Sequence, residues 1–278
     1  MTCARHIGVC SWSLRVPGPA QLVEQVQAAG LTAVQLALDP LRRAEWQVED
    51  TRDRCQAAGI RILSGMMAME GEDYSTLDSI RCTGGVRPDH TWDANLAAAR
   101  QLASIARTLD LPLVTCHAGF IPHDPTDPER ATLVDRLRRL ADVFHARDIR
   151  LGLETGQETA DTLLAALDAI DHPALGVNFD PANMILYGMG DPVDALRRLG
   201  PRILQCHVKD ALPAPTRGEW GTEVPVGEGA VDWPAFFATL DSVAPHCDLV
   251  IEREAGDSRV ADVRTALGLI RERMGVAP

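Results

Sequence analysis

RLGLETGQETADTLLAALDAIDHPALGVNFD, residues 150–180, holds the pattern that decides the fold. A short apolar run, RLGLET (150–155), reaches a carboxylate near its end. A segment with apolar residues every three or four positions, TADTLLAALDAI (159–170), follows, and a second short run, LGVNFD (175–180), ends in another carboxylate. Short apolar runs on either side of a 3.6-residue period read as strand, helix, strand. Such a unit closes right-handed onto a parallel sheet.

The unit recurs along the chain. Further short runs stand at HIGVCSW (6–12), AVQLAL (33–38), RILSGMMAM (61–69), LVTCHAGF (113–120), ILQCHVKD (203–210) and LVIERE (249–254), eight in all. Between them PAQLVEQVQAAG (19–30), NLAAARQLASIARTLDL (95–111) and ERATLVDRLRRLADVFHARDI (129–149) read as amphipathic helices. Gly30, Gly59 and Pro112 mark where helices stop before the second, third and fourth strands. No glycine-rich GxGxxG follows the first run to mark a nucleotide crevice, and no Ser/Gly linker divides the chain. The expected fold is therefore α/β, a (β/α)8 TIM barrel in a single domain over residues 1–278. The stretches 70–94 and 211–230 are expected to be irregular loops on the face where barrels build their sites.

Hydrophobic residues make up 46% of the chain, ample for a core. Its 27 basic and 39 acidic side chains give a net charge of −12, which repels phosphate backbones. Arg136, Arg138 and Arg139 are read as solvated helix faces, and no nucleic-acid partner is expected. Seven cysteines, at 3, 10, 55, 82, 116, 206 and 247, include no CxxC pair and read as reduced, mostly buried thiols. MTCARHIGVCSWSL at the start has no apolar core of signal-peptide length, and no run approaches about 18 apolar residues. The expectation is a cytoplasmic protein with no membrane partner.

In a parallel barrel the chemistry comes from the carboxyl ends of the strands. Here those ends carry His117, Glu154, Asp180, His207, Lys209 and Glu252. Alternation turns Gly152 and Glu154 toward the barrel axis, and puts Ile203, Gln205, His207 and Lys209 on one face. Singly, a strand-end carboxylate reads as a helix cap or an ion-pair partner. Three carboxylates and an imidazole meeting at one opening repel unless something neutralises them, and one divalent cation does so. The donor set suits Mn2+ first, with Mg2+, Co2+ or Zn2+ as alternatives. Structural zinc would favour thiolates at a spacing these cysteines lack.

GLETGQET (152–159), NFDPANM (178–184), CHVKDA (206–211), VPVGEGAVDW (224–233) and VIERE (250–254) resemble the motifs of the xylose isomerase-like TIM-barrel superfamily. These are the sugar phosphate isomerases and epimerases, with tagatose 3-epimerase and hydroxypyruvate isomerase among them. The resemblance covers nearly the whole chain and implies that Glu154, Asp180, His207 and Glu252 bind one divalent metal. It further implies that Glu154 and Glu252 act as the acid/base pair on opposite faces of a ketose, passing a proton through a metal-stabilised enediolate. Two positions depart from the epimerases. Asn183 stands where several carry a substrate-contacting His, and Pro213 stands where they carry an Arg.

Other candidates have two readings each. Lys209 holds a substrate oxyanion or carboxylate, or pairs with Asp210 or another nearby carboxylate. His117 bonds a substrate hydroxyl, or fixes a neighbouring carboxylate. Gln157 orients Glu154, or caps the next helix. Trp12 walls a sugar-like ring, or only packs; Asn183 contacts substrate in place of the family's His. Gly227 and Gly229 serve a sharp turn around Glu228. The expected activity is a metal-dependent isomerase or epimerase of a small sugar or sugar-like hydroxy-carbonyl compound. The alternative is a lyase or dehydratase of a keto-sugar or keto-inositol working through the same enolate. A phosphodiesterase like endonuclease IV would need a basic groove, which the −12 charge opposes. A binding module without catalysis is the remaining reading. The expected partner is a small-molecule carbohydrate, and assembly into a homo-oligomer is left open.

Overall fold

In the computed structural model, which describes residues 5–216 and 218–274, the eight apolar runs become eight parallel strands. They are β1 (Ile7–Cys10), β2 (Ala33–Ala37), β3 (Arg61–Met66), β4 (Leu113–His117), β5 (Arg150–Glu154), β6 (Leu175–Phe179), β7 (Ile203–Val208) and β10 (Asp248–Ile251). Two short strands, β8 (Asp210–Leu212) and β9 (Thr222–Val224), lie between the last two. Each barrel strand pairs with its sequence neighbours, and β1 closes the ring on β10 with Ile7 beside Leu249 and Val9 beside Ile251.

The helices are α1 (Pro19–Ala28), α2 (Asp39–Arg42), α3 (Val48–Ala57), α4 (Leu77–Thr83), α5 (Asp89–Thr108) and α6 (Pro128–His145). After them come α7 (Ala160–Ile170), α8 (Pro181–Leu186), α9 (Pro192–Leu199), α10 (Trp233–Val243) and α11 (Arg259–Met274). The long ones bury the faces their periodicity implied. Leu96, Ala99, Leu102, Ala103 and Ala106 of α5 and Leu133, Leu137, Leu140 and Phe144 of α6 are buried in the layer between helices and barrel.

Several expectations need correction. Every strand stops one to three residues before the end of its apolar run, because the last residues leave the ladder to cap or turn. Trp12 sits in a 3-10 turn, Ser11–Leu14, and Asp180 is the N-cap of α8. The stretch 70–94 contains α4 and the start of α5, and 211–230 contains the antiparallel pairing of β8 with β9. Arg136 is not solvated: it is buried, donates to the carbonyls of Val86 and Arg87, pairs with Asp89 and stacks over Trp92.

Cys10, Cys55, Cys116, Cys206 and Cys247 are free and buried, and Cys82 is free and exposed. Cys3 lies outside the described residues. Among the described residues no helix is long and apolar enough to cross a membrane.

Asp210 anchors the loop over the end of β7. It accepts from the backbone nitrogens of Ala211, Gly227 and Val231 at 2.9, 2.9 and 3.2 Å and from the Trp233 indole at 2.8 Å. Gly229 is required there, since a Cβ at this position would come within 2.0 Å of Asp210 Oδ1.

Candidate functional site

Four side chains converge at the carboxyl ends of β5, β6, β7 and β10. Glu154, Asp180, His207 and Glu252 are all buried, and each offers a ligand atom within 4.8 Å of the others. His207 Nδ1 lies 3.3 Å from Glu252 Oε2, 3.5 Å from Glu154 Oε1 and 3.7 Å from Asp180 Oδ2.

The local fold leaves one face of each group for this meeting. Asp180 Oδ1 caps α8, accepting from the nitrogens of Ala182 at 2.8 Å and Asn183 at 3.0 Å. Its Oδ2 has no hydrogen-bond partner, and neither does His207 Nδ1. Buried polar atoms are nearly always satisfied, and these two face each other across a carboxylate ring, where both are free to serve as ligand atoms. A divalent cation fits this donor set of three carboxylates and one imidazole. Asp180 therefore serves both readings of a strand-end carboxylate, cap with one oxygen and candidate ligand with the other.

Burial pushes the Asp180 carboxyl up to about 6, against the pull of Lys209. Burial drives the His207 imidazole down, but surrounding charge, including the Glu154 and Glu252 carboxylates, more than offsets it and holds the ring well above its usual value. Burial also opposes ionisation of Glu252, yet Lys209 and His207 hold it well below the carboxylate range.

Glu154 accepts from Asn183 Nδ2 at 2.9 Å and from Asn178 Nδ2 at 3.1 Å. Asn183 faces the cavity as well, and packs against the turn at Gly156, whose φ of +138° and approach to Asn183 Cβ admit no side chain. Gln157 does not reach Glu154; its side chain donates to the Tyr187 hydroxyl at 3.4 Å. Trp12 Nε1 donates to Glu252 Oε1 at 2.7 Å, so the indole is a hydrogen-bond partner as well as a wall. His117 Nε2 lies 3.9 Å from Glu154 Oε1. Burial lowers its pKa, but the Glu154 and Glu72 carboxylates prevail and hold it above the ordinary value.

Lys209 does not pair with Asp210, whose oxygens are all engaged by the loop. Its ammonium, 3% exposed, lies 2.9 Å from Glu252 Oε2, 2.6 Å from Glu254 Oε2 and 3.3 Å from Asn183 Oδ1. Above these groups opens a cavity of about 440 Å3, walled by Trp12, Tyr74, Tyr187 and Trp220 and also lined by Glu72 and Glu254.

Sequence reasoning missed Glu254, the cavity aromatics from the loops, and the buried amides Gln35 and Asn178 beneath the ring; it put a third, Gln205, on the face of His207 without giving it a role. The amides had a readable signal. Each is a polar residue inside an apolar strand run, AVQLAL, LGVNFD and ILQCHVKD.

Comparison with known proteins agrees with this architecture. The 3-oxo-isoapionate decarboxylase of Pectobacterium atrosepticum is 28% identical over 252 residues, covering 86% of this chain and 80% of that one. The structure of a xylose isomerase domain protein from Planctomyces limnophilus superposes with a TM-score of 0.83 at 33% identity, over 91% of this chain and 92% of that one. An L-ribulose 3-epimerase shares the fold with a TM-score of 0.76 at 16% identity, over 98% and 95% of the two chains. The family profile described as xylose isomerase-like TIM barrel matches residues 23–273, nearly the whole chain, and the protein belongs to that family.

Proposed function

We propose that this chain is a divalent-metal-dependent enzyme that generates an enediolate from a small polyhydroxylated carbonyl compound, with isomerisation or epimerisation of a keto-sugar as its reaction. The observation that carries the reading is the pair of partnerless buried atoms, Asp180 Oδ2 and His207 Nδ1, closed in by oxygens of Glu154 and Glu252. A cation held by these four residues, Mn2+ first and Mg2+, Co2+ or Zn2+ as alternatives, supplies Lewis-acid stabilisation to charge developing on a substrate carbonyl oxygen.

The chain's own groups do the rest. Glu154 and Glu252 come from β5 and the end of β10, with β6 and β7 between them, so they approach a bound molecule from different sides. One takes the proton next to the carbonyl and the other returns it. Trp12, Tyr74, Tyr187 and Trp220 cover the C–H faces of the substrate and exclude water, and the cavity volume suits a small molecule. His117 and Asn183 are placed to bond its hydroxyls.

A second reading has a specific observation in its favour. Both oxygens of Glu252 are already engaged, one by the Trp12 indole and one by the Lys209 ammonium. A carboxylate so held is a poor base. Decarboxylation of a β-keto sugar acid leaves the same enediolate by C–C cleavage without any base, and afterwards needs one proton donor, for which Lys209 is placed. The decarboxylase relative supports this reading.

One experiment separates the outcomes. Metal-stripped protein is reloaded with Mn2+ and incubated in D2O with keto-sugars and keto-sugar acids. Solvent deuterium in a product of unchanged carbon skeleton supports isomerisation or epimerisation, and release of CO2 supports decarboxylation. An enone chromophore supports the dehydratase alternative. Failure of the protein to bind a divalent ion at one per chain would sink all three.

A further inference from the structure

Beneath the carboxylate ring the barrel interior carries hydrogen-bonding side chains, where branched aliphatics ordinarily fill such layers. Gln35, Ser64, Thr115, Asn178 and Gln205 are all buried there. Their bonds form two relays. In one, Ser64 Oγ donates to Gln205 Oε1 at 2.6 Å, Gln205 Nε2 donates to Asn178 Oδ1 at 3.1 Å, and Asn178 Nδ2 donates to Glu154 Oε2 at 3.1 Å. In the other, Gln35 Nε2 donates to Thr115 Oγ1 at 2.8 Å, while the Thr115 hydroxyl donates onward to Met66 Sδ at 2.9 Å. The first relay ends by giving a hydrogen to Glu154. The second leaves Gln35 Oε1 pointing at His207 Nε2, 2.8 Å away.

His207 Nε2 thus stands between two amides with opposite demands, with the Cys10 thiol farther off at 3.8 Å and itself donating to Gln35 Oε1 at 3.5 Å. Asn178 Nδ2, at 3.1 Å, would donate to a bare Nε2 and send the ring hydrogen to Nδ1. Gln35 Oε1 accepts a hydrogen from Nε2 and leaves Nδ1 bare. Asn178 Nδ2 has two hydrogens and is satisfied by Glu154 without His207, whereas a bare Nε2 at 2.8 Å from Gln35 Oε1 would set lone pair against lone pair. Which ring nitrogen carries the hydrogen is set by the bond the other element of the ring must make.

We propose that Gln35 is the positioning residue of the metal site: its carbonyl oxygen keeps the hydrogen of His207 on Nε2 and presents a bare Nδ1 to the opening shared with Glu154, Asp180 and Glu252. Gln35 does not line the cavity and bonds none of Glu154, Asp180 and Glu252; besides His207 it is held by Thr115 and accepts from the Cys10 thiol. The inference rests on the reading of these four residues as a cation site.

The test uses the full chain labelled with 15N-histidine and saturated with Mg2+, which leaves the spectra undisturbed. Long-range 1H–15N correlation should show His207 with its hydrogen on Nε2. Gln35→Leu removes the acceptor, and should weaken Mn2+ binding in calorimetry roughly ten- to hundredfold. Gln35→Glu keeps an oxygen facing Nε2 and should hold wild-type affinity. A hydrogen found on Nδ1 in the loaded wild-type protein overturns the proposal, whatever the variants do, and so does a Leu variant that binds Mn2+ as the wild type does. Absence of any divalent-ion binding by the wild type would instead overturn the cation site itself.

Discussion

Asp180→Asn separates the two jobs of one side chain. Oδ1 caps α8 through Ala182 and Asn183, and asparagine caps about as well as aspartate. The metal-free variant should therefore lose no more than about 0.5 kcal/mol. It can even gain, since a neutral amide escapes the burial and carboxylate repulsion that push Asp180 up to about 6. Metal-linked stability should behave otherwise. A cation at about 100 times its Kd stabilises the wild type by roughly 2.7 kcal/mol, which is about 5–10 °C in Tm for a chain of this size. Replacing the orphan Oδ2 with an amide nitrogen removes a ligand and a charge. If affinity falls about a hundredfold, the same cation concentration stabilises the variant by only about 0.4 kcal/mol, near 1 °C. Thermal denaturation of both proteins, with EDTA and with MnCl2, reads all four numbers. A variant that kept the full Mn2+ shift would refute Asp180 as a ligand. A metal-free loss above about 2 kcal/mol would refute the capping argument.

Three further outcomes are expected. Lys209→Met keeps the stem and removes the ammonium from Glu252 and Glu254, so kcat should fall roughly 10²-fold or more while Mn2+ still binds; steady-state kinetics with calorimetry tests this, and an unchanged kcat removes Lys209 from the chemistry. Glu158 is buried, with Oε1 unpartnered, and burial pushes its carboxyl from 4.5 up to about 8. A raised folded-state pKa means the folded protein holds a proton that the unfolded chain releases, so this group's stability is complete below pH 4.5 and is lost as pH rises through about 8. Glu158→Gln should then be more stable than wild type at pH 9 but not at pH 4, and parallel denaturation curves at the two pH values would contradict it. Asp210→Asn keeps one acceptor oxygen where four donors converge, and should cost about 3–5 kcal/mol in urea denaturation; a loss under about 1 kcal/mol would show that the loop does not depend on that carboxylate.

The barrel was legible because each strand is an apolar run closed by punctuation, and because a ring of eight such runs has few alternatives. The meeting of four side chains was legible for a related reason: a barrel places strand ends together, so Glu154, Asp180, His207 and Glu252 could be grouped from their positions alone. What could not be read is what depends on the side chains' neighbours across the barrel. Gln35 and His207 are 172 residues apart, and nothing local to either marks the bond between them. Lys209 was ambiguous for the same reason. Asp210 is its neighbour in sequence, but the loop from Gly227 to Trp233 returns to claim that carboxylate and leaves the ammonium to Glu252 and Glu254. Strand ends ran short because residues such as Trp12 and Asp180 leave the ladder for turns that the apolar pattern does not encode.

The hairpin of β8 and β9 separates the parts that can change from the parts that cannot. Glu223 accepts from the nitrogens of Glu254 and Ala255 and from Arg253, so the base of the insertion is fastened to the segment that follows Glu252 at the end of β10. Its tip, by contrast, reaches the cavity wall with Trp220, whose ring lies 4.8 Å from Tyr187. Exchanging residues 213–221 for those of another barrel should alter the cavity wall while leaving Glu154, Asp180, His207 and Glu252 in place. Within this architecture a new cavity shape is reachable by small, independent steps, with no intermediate that has to give up the cluster of Glu154, Asp180, His207 and Glu252.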